Sequence, residues 1–276
     1  GMTGSSYTYQ WQRCTSNAAS SCSDISGATS ATYLLTQTDT DKWIRVQVSY
    51  TDDYNTAETV NSALTSQIGN INDAPNAGAD QTGAITEDAS TNTASDTVDA
   101  SDPDTGDTLS YSASASSGTY GTFAVTSAGV WTYTLDNSDA DTTALDAGDS
   151  VTDSFTITVS DGTASDTMDV DVTITGANDA PSAGSDQTGS VTEDASTTTA
   201  TGTVSSSDDD DSASLTYTAG SSTGTYGTFA VTSSGAWTYT LVNSDADTDA
   251  LAASASVTDS FTITVSDGTA SDTMDV

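Results

Sequence analysis

The side chains able to do chemistry in this chain are nearly all carboxylates, and they recur. Asn72-Asp73 before Ala74-Pro75, Glu87-Asp88, Asp102-x-Asp104, Asp139-x-Asp141 and Asp161 each have an identical counterpart 106 residues on, as Asn72 has in Asn178. Carboxylate and carboxamide oxygens are hard donors. Gathered in one place they match a divalent cation, above all Ca2+, which takes six to eight oxygens from carboxylates and carbonyls. Other chemistries lack their residues. There is no His and the chain holds two Cys, which without His make no zinc site. No motif supplies an activated nucleophile. A pair of carboxylates could hydrolyse a glycoside, but among 40 acidic residues such a pair is easily imagined and carries no information.

The elements that must position these groups follow from the repeat. Residues 75–170 align without a gap on 181–276, with about 70% identity, and self-similarity at a fixed period marks a tandem array. Asn-Asp-Ala-Pro is the joint, at Asn72 and again at Asn178. Three modules result: 1–71, a repeat over 72–177, and a second over 178–276 whose last strand stops short. Within the first repeat, 84–86, 93–98, 109–113, 122–126, 130–135, a run around Phe155, Ile157 and Val159, and a run from Met168 to Ile174 alternate apolar with polar residues. Strict period-2 alternation predicts strands with one buried face. The fold class is therefore all-β: tandem antiparallel β-sandwiches in a linear array. Trp131, Tyr133, Phe155 and their counterparts Trp237, Tyr239 and Phe261 belong to the two cores.

Such a sandwich gathers its loops at two ends. Asp102, Asp104, Asp107 and Asp161 fall at the end where Asn72-Asp73 arrives. Glu87-Asp88, Asp139 and Asp141 fall at the other, with Asn178-Asp179. Head-to-tail stacking sets acidic clusters against each other at each joint. Ca2+ converts that repulsion into a rigid junction.

The charge balance narrows the partners. The formal net charge is −37, and all three cations, Arg13, Lys42 and Arg45, precede the first joint. Nucleic acid and anionic membrane surfaces, which need Lys/Arg stripes, are poor candidates as direct partners. No apolar run approaches a membrane span, and no signal peptide opens the chain, so a fragment of a longer secreted protein is expected. Cys14 and Cys22 close a short loop as a disulfide or stand as separate thiols; export favours the disulfide. In the leading module, residues 7–11, 32–35 and 43–50 read as strands.

Residues 72–276 resemble the VCBS repeat, a cadherin-like module of very large bacterial surface adhesins and secreted repeat proteins. The resemblance rests on Thr86-Glu-Asp-Ala89, Ser101-Asp-Pro-Asp104, Gly118-Thr-Tyr-Gly-Thr-Phe123, Gly129-Val-Trp-Thr-Tyr-Thr-Leu135 and Asp153-Ser-Phe-Thr-Ile-Thr-Val-Ser-Asp-Gly162. Residues 1–71 resemble part of a bacterial immunoglobulin-like module. The resemblance implies surface display, calcium-dependent rigidity, and adhesion or biofilm roles. By analogy with cadherin joints, Asn72, Asp73, Asp102, Asp104 and Asp161 serve one junction; Glu87, Asp139, Asp141, Asn178, Asp179, Asp208, Asp210 and Asp267 serve the next. Two departures stand out: Asp209 replaces the Pro103 of the first copy, and calcium-binding glycine-rich nonapeptides are absent. The partners expected are neighbouring modules, other copies of the chain, or surface glycans and cells. A filament completed by strand exchange and a glycan-binding module with Tyr120 and Tyr226 as contacts are the alternatives; an enzyme is not expected.

Overall fold

The computed structural model describes residues 7–52, 54–104 and 106–276. These group into two compact units. One comprises residues up to Gly78 with Asp99–Tyr111 and Thr158–Thr167; the other comprises Ala79–Val98, Ser112–Ile157 and Met168–Val276. The division falls inside the first repeat, so each Asn-Asp-Ala-Pro joint and the loops beside it lie within a single unit.

In the first unit, β1 (Thr8–Cys14), β2 (Cys22–Asp24), β3 (Trp43–Thr51) and β4 (Ala57–Asn61) form one sheet in the order β2-β1-β3-β4. The antiparallel register of β1 on β3 sets Tyr9 opposite Val48 and Trp11 opposite Val46, so one face is apolar. Trp11 is half-buried and stacks on Tyr33 at 5.7 Å. Cys14 and Cys22 face each other across β1 and β2 and are joined by a disulfide.

Residues 32–35, expected as a strand, are irregular, and Leu34 is 86% exposed. Backbone pairing there gives way to side-chain anchoring. Asp39 is fully buried, pairs with Arg13 at 2.7 Å, and accepts from the Tyr33 hydroxyl at 2.9 Å and the Thr36 amide at 2.8 Å. A buried carboxylate with that many donors fixes the corner without a ladder.

The first repeat has seven strands: β5 (Gln81–Thr86), β6 (Thr93–Thr97), β7 (Ser110–Ala113), β8 (Gly121–Val125), β9 (Val130–Leu135), β10 (Ser150–Ser160) and β11 (Ser165–Thr175), with a one-turn helix α1 (Ala140–Thr143) between β9 and β10. They form two sheets, β5-β11-β10-β7 and β6-β9-β8. The expected alternation is met: Trp131, Tyr133, Leu135, Phe155, Ile157, Met168, Val170, Val172 and Ile174 are all at most 3% exposed. Phe123 stacks on Phe155 at 4.4 Å and on Trp131 at 5.9 Å. Each such side chain contributes about 1.5–3 kcal/mol by leaving water.

One pairing differs from the all-antiparallel expectation. β5 runs parallel to β11, from Val170 opposite Gln81 to Thr175 opposite Thr86. A module with an odd number of strands that begins at one end and leaves at the other must run its first and last strands in the same direction. Alternation carries no information about direction.

Close approach of two chains explains one glycine. A Cβ built on Gly121 would overlap the Thr134 carbonyl oxygen and lie 2.7 Å from the Tyr133 hydroxyl. The carbonyl cannot yield, since it is backbone of the adjacent strand. Gly121→Ala is expected to destabilise the protein by about 2–3 kcal/mol in urea unfolding; an unchanged midpoint would show that the β8–β9 spacing is adjustable.

In the second repeat, β12 (Thr199–Thr203), β13 (Thr216–Ala219), β14 (Gly227–Val231), β15 (Ala236–Leu241), the short helix α2 (Ala246–Asp249), β16 (Thr262–Ser266) and β17 (Ser271–Asp275) give sheets β12-β15-β14 and β13-β16-β17. The aromatic stack recurs, with Phe229 on Phe261 at 4.5 Å. The counterpart of β5, residues 187–192, is not a strand, and the counterpart of β10 begins only at Thr262.

A carboxylate-lined candidate metal centre

The joint at Asn178 lies wholly in the second unit. Glu87 follows β5 on a tight turn in which Asp88 adopts φ 54°, a left-handed conformation that Asp tolerates better than most residues. Glu87 is 2% exposed. One of its carboxylate oxygens accepts from the Ala177 amide at 3.2 Å; the other is buried without a partner.

From the far side comes the Asp208-x-Asp210 turn. The Asp210 amide donates to Asp208 Oδ1 at 3.2 Å, and the Asp179 amide donates to Asp210 Oδ2 at 3.0 Å. The remaining oxygens, Asp208 Oδ2, Asp210 Oδ1 and Asp179 Oδ2, are also buried and unpartnered. Asn178 donates to Asp267 Oδ2 at 3.0 Å, while Asp267 Oδ1 holds the amides of Thr269 and Ala270 at 2.6 and 2.7 Å.

Four carboxylates thus point one oxygen each at nothing. Buried carboxylate oxygens are ordinarily matched by donors or cations. No Lys or Arg exists beyond residue 45 to supply a charge.

Electrostatics register the mismatch. Burial pushes the Glu87 and Asp210 carboxyls above their ordinary range, and the charges of Asp179 on the first and Asp208 on the second add to it. Burial likewise raises Asp179, with Asp88 and Asp210 adding. Asp267 is lowered instead, by donation from Ala270 and then Asn178.

A sign follows for the metal-free protein. Raised carboxyls give a stabilising contribution that is complete below the ordinary value near 4 and lost as pH rises through the higher folded values. Lowered ones such as Asp267 and Asp161 keep their contribution above about pH 4 and lose it only below. Metal-free protein is therefore expected to show a higher urea midpoint at pH 5 than at pH 7. An equal or lower midpoint at pH 5 would mean that burial and neighbouring charge do not raise the Glu87, Asp179 and Asp210 carboxyls.

The joint at Asn72, in the first unit, is built from the same parts but satisfied differently. Side-chain oxygens of Asp102, Asp107 and Asp161 lie within 4.8 Å of one another. Asn72 donates to Asp161 at 2.9 Å and the Asp73 amide donates to Asp104 Oδ2 at 2.7 Å. Here, however, the Gln37 amide of the leading module donates to Asp104 Oδ1, whereas the matching Asp210 oxygen is orphaned. Asp102 Oδ2 is the one orphan among the five ligands predicted for this joint.

The predicted ligands are thus partly gathered. Asn72, Asp102, Asp104 and Asp161 converge, with the Asp73 backbone rather than its side chain making the contact. At the second joint Glu87 holds the Ala177 amide, Asp210 the Asp179 amide and Asp267 the Asn178 side chain, whereas among the described residues the carboxylates whose ligand atoms lie within 4.8 Å of one another are Asp102, Asp107 and Asp161 of the first. Asp139 and Asp141 join neither set: Asp139 caps α1 by accepting from the Asp141 amide at 2.9 Å, and Asp141 is exposed.

Asp107, placed at this end of the module by its turn but left out of the junction set, belongs at the first joint, and Asp146, not singled out in the sequence, reaches across the second. Asp107 completes the first triad, and burial and then the charges of Asp102 and Asp104 raise its carboxyl. Asp146 reaches the next repeat, taking the Ser212 amide at 3.0 Å and the Ser212 hydroxyl. Asp146 has Ala252 as its counterpart, so a search for recurring carboxylates passes over it; Asp107, whose counterpart is Ala213, is found from its turn instead. Tyr120 and Tyr226, the aromatic contacts expected of a glycan site, are half-buried, with their amides held by Asp153 and Asp259.

A family model described as the bacterial cadherin-like domain matches residues 72–176 and again 178–276. No curated protein matches the chain in sequence. Among solved structures, Protocadherin Gamma B2 extracellular cadherin domains 1-5 aligns with TM-score 0.54 at 15% identity, over 98% of this chain and 51% of that one. PcdhgB3 EC1-4 aligns with TM-score 0.51 at 14% identity, over 99% and 65%. The Protocadherin GammaB4 extracellular domain aligns with TM-score 0.43 at 18% identity, over 98% and 44%. The chain thus spans between 44% and 65% of the length of these proteins.

Proposed function

Because the chain belongs to the family of bacterial cadherin-like domains, we propose that it is a spacer region of an extracellular bacterial adhesin, held rigid by Ca2+ at its module joints and serving cell adhesion or biofilm formation. The observation that carries this reading is the set of four buried, unpartnered carboxylate oxygens on Glu87, Asp179, Asp208 and Asp210. The donors are all hard oxygens, with no imidazole or thiolate, which fits Ca2+ rather than zinc or copper. Glu87 belongs to one repeat, Asp208 and Asp210 to the next, and Asp179 to the linker, so one ion would bind three segments at once. Asn178 and Asp267 would brace that site.

At the first joint Asn72, Asp73, Asp102, Asp104, Asp107 and Asp161 would serve. With Gln37 already donating to Asp104, that joint needs a cation less and should bind it more weakly.

Several features agree with a position outside the cell. A disulfide persists in oxidising compartments, and extracellular calcium modules work at about 10⁻⁴–10⁻³ M, where the ion is plentiful outside cells. Among the described residues no helix is long and apolar enough to cross a membrane. A non-enzymatic role accords with duplication of nearly the whole module, since a spacer gains length from a copy while an active site gains nothing.

Calorimetric titration of chelated protein with Ca2+ tests the joint. Saturable binding with a tighter and a weaker class, the tighter lost in the Asp208→Asn, Asp210→Asn double variant, is the expected result. Binding unchanged in that variant would remove the site. Cells displaying the chain should adhere less after chelation; equal adhesion would separate rigidity from function.

A further inference from the structure

The two repeats are closely alike in sequence, and two of the places where they differ meet in space. Asp146 lies on the loop between α1 and β10, and its counterpart is Ala252; Ser212 follows the Asp208-x-Asp210 turn, and its counterpart is Gly106. The Ser212 amide donates to Asp146 Oδ1 at 3.0 Å, and the Ser212 hydroxyl donates to Asp146 Oδ2. Beside them the Asp211 amide donates to the Ala144 carbonyl at 3.3 Å. The acceptor is thus present only on the first repeat, where it faces the second, and the hydroxyl donor only on the second, where it faces the first.

The same loop holds the linker. The Gly148 amide donates to the Gly176 carbonyl at 3.1 Å, and the Gly176 amide donates to the Asp149 carbonyl at 3.0 Å. So close an approach needs glycine at 176, because a Cβ there would overlap the Asp146 carbonyl oxygen and lie 2.8 Å from Leu145 Cβ. Leu145 itself is buried, which ties the loop to its own repeat. One loop therefore grips its repeat, the linker and the next repeat through protein groups alone.

Asp146 differs in kind from the four carboxylates of the joint. Both of its oxygens are matched, and donation from the Ser212 hydroxyl and then the Ser212 amide holds its carboxyl below the ordinary range. Glu87, Asp179, Asp208 and Asp210 each leave one oxygen bare. Asp146 is a fastening, not a further ligand.

We propose that residues 144–149 form a metal-independent latch that sets the second repeat on the first, with Asp146 and Ser212 as a matched pair particular to this joint. The partner that this face of the first repeat fits is a module with a hydroxyl residue two places after its Asp-x-Asp turn. Hydrogen bonds to an ionised carboxylate are among the stronger ones, so the turn bearing Asp208 and Asp210 keeps its place on the first repeat when no metal is bound, and the cation site is pre-organised. That last consequence rests on the calcium reading; the latch does not.

The test measures how the repeats are held in the whole chain without metal. Spin labels at Thr122→Cys and Thr228→Cys, both exposed strand positions, report the distance between the repeats by pulsed electron resonance in chelator. Cys14 and Cys22 are held in their disulfide and take no label. The parent is expected to give one narrow distance distribution. Asp146→Ala, which installs the residue of the twin repeat, should lose it to a broad one. Asp146→Asn, whose carboxamide oxygen still accepts the Ser212 amide, should keep it narrow. The proposal is overturned if the parent is already broad, if Asp146→Ala stays narrow, or if Asp146→Asn broadens as far as Asp146→Ala, which would make charge and not hydrogen bonding the cause. Calcium titration of the same proteins reads the consequence: Asp146→Ala should bind about 10-fold more weakly, because apparent affinity falls with the population of the competent state, and Asp146→Asn nearly as the parent does. A parent that binds no calcium sinks the cation site while the distances in chelator still decide the latch.

Discussion

Saturating Ca2+ is expected to raise the melting temperature of the chelated protein by about 10 °C or more. The size follows from linkage: a ligand at about 100 times its Kd that binds only the folded state adds about 2.7 kcal/mol, and each kcal/mol moves the midpoint of a ~100-residue module by about 4–8 °C. The Asp208→Asn, Asp210→Asn double variant carries the sharper test, because the expected effects have opposite signs in the two states. With Ca2+ it melts well below the parent, having lost two charged ligands. Without Ca2+ it melts above the parent. Two mutually repelling buried charges are then gone, while the carboxamide oxygens introduced at 208 and 210 still accept the backbone amides of positions 210 and 179. Differential scanning calorimetry in chelator and at calcium about 100 times its titrated Kd reads both. A variant that melts lower in both conditions would make the cluster an ordinary hydrogen-bonded turn.

Asp153→Ala lowers stability by about 3–5 kcal/mol, a large share of the 5–15 kcal/mol that holds a typical domain. Asp153 is 5% exposed and is a hub rather than a surface charge. It accepts from the Tyr133 hydroxyl at 2.8 Å and from the amides of Thr119 and Tyr120 at 2.9 and 3.1 Å. Removing it orphans three donors at about 1–3 kcal/mol each. It also frees the loop at Gly118, which leaves no room for a Cβ beside that carboxylate. Burial and then the bond to Asp153 hold the Tyr133 phenol far above its ordinary titration range, so Tyr133 remains a neutral hydrogen-bond donor. Tyr133→Phe, which leaves both amides paired, should cost only about 1–2 kcal/mol. Asp259→Ala should cost less than Asp153→Ala, because Asp259 is only half-buried. Urea unfolding measures all three; an Asp153→Ala cost below about 1 kcal/mol would mean the loop holds itself.

The strands of the repeats are legible in the sequence because alternation is a local property. Val130 to Leu135 reads as a half-buried strand without knowledge of its neighbours, and the 106-residue period delivers the second copy from the first. Pairing direction is not local, so the β5–β11 ladder leaves no trace in the pattern. In the leading module, Thr32-Tyr33-Leu34-Leu35 has a strand's composition, but Asp39 draws Tyr33 and Thr36 to itself and leaves Leu34 in water. Strand β4 (Ala57–Asn61) is hidden because its alternation is weak and all five residues are exposed.

The candidate site is legible where the joint sequence brings its own oxygens, as at Asn178-Asp179, and where Asp-x-Asp recurs. It is illegible where a carboxylate has a nearer task. Asp139 has the same spacing to Asp141 as Asp208 has to Asp210, and only the helix that follows turns it into a cap. Asp153 is hidden differently: in a chain so rich in Asp, nothing local separates a buried hub from a solvated charge.

The parallel ladder of the first repeat has a mechanical consequence. When the two ends of this repeat are pulled apart, β5 is drawn back from its start and β11 forward from its finish. The six residue pairs from Gln81 to Thr86 then slide lengthwise against each other. Their hydrogen bonds must break together, not one after another as in a peeled hairpin. A sheet whose first and last strands lie side by side in the same sense resists extension as a lap joint does, by sharing the load along its whole overlap.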